Sequence, residues 1–167
     1  VLSLTIALAS VMPRPALGQE DATEEDEIAD LEKSCEDGSK QACFRLGFAY
    51  EQGKGVSIDH EHAAELYRRA CSAHVPAGCN NYAWCSCKHL DKCTEELEKM
   101  AAFAVANARS DTEEAGYRDT LALIQCRLGK YEQCFDNYEK ACELTGAERF
   151  CDMASSPEDS EFYPPEE

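Results

Sequence analysis

Cysteines recur along this chain at one favoured spacing. Cys35 and Cys43, Cys71 and Cys79, Cys85 and Cys93, and Cys126 and Cys134 are each eight residues apart, and Cys142 and Cys151 are nine apart. The segments around them read as helices joined by turns. Cys71 ends the helical stretch EHAAELYRRAC, SAHVPAG makes a turn, and Cys79 opens the next helix. Cys126 likewise ends TLALIQC, RLGK turns, and YEQC begins again. Each pair therefore straddles a corner between two antiparallel helices, where the sulfurs come within bridging reach. Closing a loop of this size contributes roughly 2–3 kcal/mol per bridge through restriction of the unfolded chain. Eleven cysteines in 167 residues also point to an oxidising compartment.

The middle cysteines are less regular. Cys85-Ser-Cys87-Lys-His89, followed by Cys93, gathers three thiols and an imidazole in nine residues. Zinc sites favour a C-x-x-C knuckle, and this run has C-x-C with no second knuckle elsewhere, so no metal is expected. The C-x-x-C-H of covalent haem attachment is missing too, and no cofactor is expected. Either Cys85 or Cys87 bridges to Cys93. The eight-residue spacing favours Cys85, with Cys87 as the unpaired thiol, buried and free or linking two chains.

The cysteines also carry a repeat. Cys35 and Cys43 recur as Cys71 and Cys79, a shift of 36 residues that also carries Phe48 onto Trp84 and Ala42 onto Gly78. A period near 36 with two helices per unit implies an all-α stacked solenoid, since one helical hairpin cannot bury its own apolar stripe. Helices are expected near 27–36, 40–52, 60–72, 77–88, 94–108, 115–127, 131–144 and 147–153, with no strand-like alternation.

Within ACFRLGFAYEQGKGVSIDHEHAAELYRRA (42–70), the marks are Ala42, Leu46-Gly47, Tyr50, Gly53-x-Gly55-Val56, Asp59, Ala63, Tyr67 and Ala70, flanked by paired cysteines. This stretch resembles a Sel-one-like repeat of the kind found in the Helicobacter cysteine-rich proteins. Gly47 lets the two helices of a hairpin approach closely, and Gly53 and Gly55 permit positive φ at the end of the first. Asp59 can accept hydrogen bonds from the free amides opening the second helix. The second half lacks the G-x-G-V loop. There, 117–144 resembles a tetratricopeptide repeat through Leu121, Ala122, Gly129, Tyr131, Tyr138 and Ala141, and 80–108 resembles the degenerate unit that often precedes one. The implied organisation is a Sel-one-like region over 29–83 and a tetratricopeptide-like region over 84–152, in one disulfide-stapled α-solenoid.

Charge marks the ends. The formal net charge is −17, and residues 20–30 carry seven acids while 152–167 carry six, with no base in either. Removing those thirteen leaves 31–151 at −5, from 15 bases and 20 acids. Residues 19–28 and 153–167 are expected to be acidic disordered segments. Residues 1–18 form an apolar run ending Ala16-Leu17-Gly18, as in a signal peptide, too short and too interrupted by Pro13, Arg14 and Pro15 to span a bilayer. A periplasmic or secreted protein is expected. No basic cluster suits nucleic acid or anionic lipid, so neither nucleic-acid binding nor membrane insertion is expected. The oligomeric state is not legible.

Solenoids of this kind present a concave groove lined by the first helix of each unit. The repeat register places Phe44, Phe48, Asn80, Trp84 and Asp119 on that groove, where rings give contact area and amides can pair a backbone. The expected ligand is a protein or peptide of the bacterial envelope or outside the cell. Resemblance to the cysteine-rich family implies an alternative, weak β-lactam binding or hydrolysis. The residues argue against catalysis. No serine is followed three places on by lysine. Asp59-His60-Glu61-His62 offers histidines two apart on a helix, which point in different directions. The cysteine pairs lack the C-x-x-C of a thiol oxidoreductase.

Overall fold

Polar side chains cap the starts of four of the eight described helices. The computed structural model describes residues 24–72 and 75–155. Among them the chain forms α1 (Glu24–Glu36), α2 (Lys40–Gln52), α3 (His60–Cys71), α4 (Pro76–Lys88), α5 (Glu95–Ala106), α6 (Asp111–Arg127), α7 (Tyr131–Thr145) and α8 (Glu148–Ser155), and no strand. Ser39, Asp59, Thr94 and Ser110 each accept a hydrogen bond from an amide in the first turn of α2, α3, α5 and α6. Such caps satisfy donors that have no partner inside the helix. α4 instead opens on Pro76, whose missing N–H is no loss in a first turn.

Two starts lie earlier than expected. α1 reaches back to Glu24, into the segment expected to be disordered. Glu24, Glu25, Asp26 and Glu27 suit the positive end of the helix dipole, and Ile28 and Leu31 bury the following turn. α6 begins at Asp111 rather than 115, because Ser110 caps it and three acids follow in its first turn. The expected signal peptide and most of the acidic tail lie outside the described residues. α4 runs unbroken through 83–84, so the two expected repeat regions meet inside a helix and share it.

Each helix packs on the next, and α4 also packs on α6. The result is an α-solenoid whose interior is a row of small adjoining clusters. Leu46 and Leu66 centre the first, between α1 and α3, and Ala63, Tyr67 and Cys85 join α3 to α4. Leu97, Leu121 and Ile124 join α4, α5 and α6, and Cys126, Cys134, Tyr138 and Phe150 join α6, α7 and α8. Alanines and glycines let the helices come close. A Cβ on Gly78 would lie 2.8 Å from Cβ of Ala70, and one on Gly47 would lie 3.0 Å from the Tyr67 ring.

Five disulfides staple this slim interior. Cys35–Cys43 bridges α1 and α2, Cys71–Cys79 bridges α3 and α4, Cys126–Cys134 bridges α6 and α7, and Cys142–Cys151 bridges α7 and α8, with Cα separations of 4.4 to 5.3 Å. The fifth departs from the expected spacing. Cys87 pairs with Cys93, six residues on, and Cys85 is the free thiol. Residues two apart on a helix point in nearly opposite directions. Cys85 faces α3, against Ala63, Ala64 and Tyr67, while Cys87 faces the α5 side and the turn that carries Cys93. The spacing rule fails here because α4 continues past Cys87 to Lys88, leaving Cys93 in the turn rather than at a helix start. The α2–α3 and α5–α6 corners carry no bridge. The first is held by Gly53, which caps α2 at φ 70° and donates to the Ala49 carbonyl.

Candidate functional site

Asn80, Trp84 and Asp119 come from two helices and meet on one face of the solenoid. Asn80 and Trp84 lie one turn apart on α4, and Asp119 comes from the facing side of α6. Glu51, at the end of α2, and Arg149, in the first turn of α8, complete the wall. Two adjoining depressions share Trp84, Asp119 and Arg149 and so form one groove. The polar part encloses about 300 Å³, at the small end of ligand pockets, and suits a side chain better than a large molecule. The other part, about 200 Å³, is more apolar and is walled by Leu123, Tyr138, Phe150 and Met153.

The polar groups of the groove are unequally satisfied. Asn80 is 8% exposed, and its Nδ2 donates to Oδ1 of Asn81 at 3.3 Å. The Oδ1 of Asn80 is buried and accepts no hydrogen bond from any described residue. Arg149 Nη2 lies 3.1 Å from Oδ2 of Asp119, whose side chain is 20% exposed. Burial raises the Asp119 carboxyl above its usual range, opposed by the positive charges of Arg149 and Lys88. Glu51 is buried and accepts a 2.7 Å hydrogen bond from the Tyr67 hydroxyl. Burial first, and then that bond, push the Tyr67 phenol upward.

Phe44 and Phe48 are not in this groove. They line a separate apolar pocket of about 240 Å³ between α1 and α2, with Ile28, Leu31 and Ala49. Phe44 also packs its ring 5.7 Å from that of Tyr67. Phe48 is 40% exposed and has the Lys54 ammonium 4.8 Å from its ring centroid.

The histidines of the Asp59–His62 run separate, as their spacing implies. Asp59 Oδ1 accepts from the amide of His62 at 2.9 Å, and the His62 ring meets the Tyr50 ring edge-on at 4.4 Å. His60 instead stacks on His89, with centroids 4.0 Å apart and planes within 7°. His89 Nε2 lies 3.7 Å from Oε1 of Glu51. Burial, then the neighbouring His60, lowers the affinity of His89 for a proton. The free thiol of Cys85 donates to the His60 carbonyl at 3.3 Å, and burial pushes its pKa up to about 12. A thiol held there is protonated at neutral pH and is a poor nucleophile.

Sequence reasoning missed Glu51 and Arg149. Glu51 stood three residues past Phe48 on α2, but Phe44 and Phe48 face α1, so their stripe gave no pointer to the groove. Arg149 carried no signal either, because α8 is short and lies outside the repeat pattern.

A family model for the Sel1 repeat matches residues 40–74 and 125–145. The first match covers α2 and α3, and the second runs from the end of α6 through α7, within the part that resembles a tetratricopeptide repeat. The matched segments are Sel1 repeats, consistent with a Sel1-like helical-repeat protein, an architecture typical of protein-interaction scaffolds. Comparison with curated proteins gives no match.

Proposed function

We propose that this chain is a non-catalytic scaffold that holds a segment of another protein in the groove between Glu51, Asn80, Trp84, Asp119 and Arg149. The observation that carries this reading is the convergence of Asn80, Trp84 and Asp119, from two helices, on one depression with a buried and unpaired amide oxygen. A buried acceptor left without a donor is costly, of order 1–3 kcal/mol, and a ligand amide would supply the donor. Trp84 adds the flat contact area that anchors interfaces. The inert state of Cys85 fits a binding role.

The five disulfides support an oxidising location, the periplasm or the cell exterior, with a partner from the same compartment. No helix among the described residues is long and apolar enough to cross a membrane. Trp84 is the sole tryptophan, so its fluorescence reports on the groove directly. A partner peptide recovered from envelope extract should shift that emission. Trp84→Ala should abolish capture while leaving the helical circular-dichroism spectrum and the melting temperature nearly unchanged. If Trp84→Ala unfolds the chain, Trp84 is a packing residue and the groove assignment fails.

A further inference from the structure

We propose that the groove selects a partner segment through a cationic side chain, an arginine or lysine laid on Trp84 between Glu51 and Asp119 with a donor to Asn80 Oδ1. This deepens the groove reading and rests on it. In the polar part of the groove two carboxylates stand against one guanidinium, that of Arg149. Two carboxylates, Glu51 and Asp119, face it, and the Thr120 hydroxyl can accept as well. Asn80 adds the buried oxygen that no described residue satisfies. A guanidinium or ammonium carries several donors and no acceptor, which is the complement of that set. The face of an indole attracts a cation, by roughly 0.5–2 kcal/mol depending on desolvation. Gly116 at the rim has nothing within 4 Å of where a Cβ would stand, so the approach is open.

The protein shows the same chemistry on itself. Arg149, on the far wall, places its guanidinium 3.1 Å from Asp119 and 4.2 Å from the centroid of the Phe150 ring. One cation is thus already held between this carboxylate and an aromatic face, and the Arg149 side chain remains 67% exposed. The rise that burial imposes on the Asp119 carboxyl is offset by a further positive charge seated beside it, as Arg149 and Lys88 already do in part. At longer range the net charge of −17 draws basic partners toward the chain and repels acidic ones.

The test uses short Gly/Ala/Ser peptides that differ at one central residue, which is arginine, its neutral isostere citrulline, or glutamate. Trp84 fluorescence follows their binding to the full chain. The arginine peptide should bind about tenfold more tightly than the citrulline peptide, a difference of about 1.4 kcal/mol. Asp119→Asn should bring that ratio close to one, and Arg149→Ala, which removes the internal competitor, should raise it. Glu139→Gln, on the exposed face of α7, should leave it unchanged. If arginine and citrulline peptides bind equally well, cation selection is wrong and the peptide groove stands. If none of the peptides binds, both readings fall. Should Glu139→Gln lower the ratio as much as Asp119→Asn, the preference is general surface attraction and the proposed site is refuted. Preference for the glutamate peptide, lost in Arg149→Ala, overturns the proposal as well.

Discussion

The hydroxyl of Tyr67 donates a 2.7 Å hydrogen bond to Oε2 of Glu51, with both side chains buried. It fixes the end of α2 against the middle of α3 and holds one carboxylate of the groove in place. Tyr67→Phe keeps the ring and leaves Glu51 short of a buried donor. The expected loss is about 1–3 kcal/mol of unfolding free energy. Glu51→Gln keeps an acceptor for the same hydroxyl and should lose less. Urea unfolding of the two variants checks the order.

Two glycines should respond oppositely to alanine. At Gly78 the added Cβ meets Ala70 Cβ at 2.8 Å and its backbone carbonyl carbon at 3.0 Å, where α3 and α4 touch. Overpacking there should lower stability by about 1–3 kcal/mol. At Gly116, inside α6, the new methyl meets nothing within 4 Å. Gly116→Ala should raise stability by up to about 1 kcal/mol through helix propensity alone, and thermal melts of both variants decide it.

Thiol counting separates the two possible pairings in the middle of the chain. Native protein should resist alkylation, because the one free cysteine is buried. Unfolded but unreduced protein should take up one label, and reduced protein should take up eleven. Peptide mapping should find that single label on Cys85 and recover Cys87 joined to Cys93. A label on Cys87 would reverse the assignment.

His89 sets a pH dependence with a definite sign. Burial, His60 and Lys88 lower its proton affinity in the folded state, while Glu51 works the other way. The unfolded chain therefore binds this proton more readily. The stability involved is intact above the ordinary histidine pKa of about 6.5 and declines as pH falls from there toward the lowered folded value. Melting temperature should drop as pH falls below about 6.5, and His89→Gln should flatten that part of the curve.

Much of the fold could be read from residue order, because its determinants are local. A cap and the helix it starts lie within four residues, as with Ser39 and Ala42, and three of the five bridges follow from the eight-residue spacing and a fourth from a nine-residue one. The misreadings arose where a local rule met a competing one. The spacing rule chose Cys85, yet which cysteine faces the turn depends on the rotation of α4 and on where that helix ends. Acidity suggested disorder before residue 29, yet the same acids favour a helix start once Ile28 and Leu31 have somewhere to bury. The groove was half legible. Asn80, Trp84 and Asp119 followed from the repeat register, but Phe44 and Phe48 obey that register and are drawn instead into a pocket with α1, which precedes the repeat. Arg149 reaches Asp119 across 30 positions of chain, and no local pattern announces a contact of that range.

The placement of the disulfides divides the molecule into covalent segments. One contains α1 and α2, another runs from α3 through the turn after α4, and the last comprises α6, α7 and α8. Glu51 belongs to the first, Asn80 and Trp84 to the second, and Asp119 and Arg149 to the third. The groove walls thus sit on three separately braced blocks that no sulfur bridge joins. Packing joins them instead, with the buried Tyr67–Glu51 hydrogen bond crossing from the first block to the second. A segment seated across all three blocks would add a clasp where oxidation supplies none.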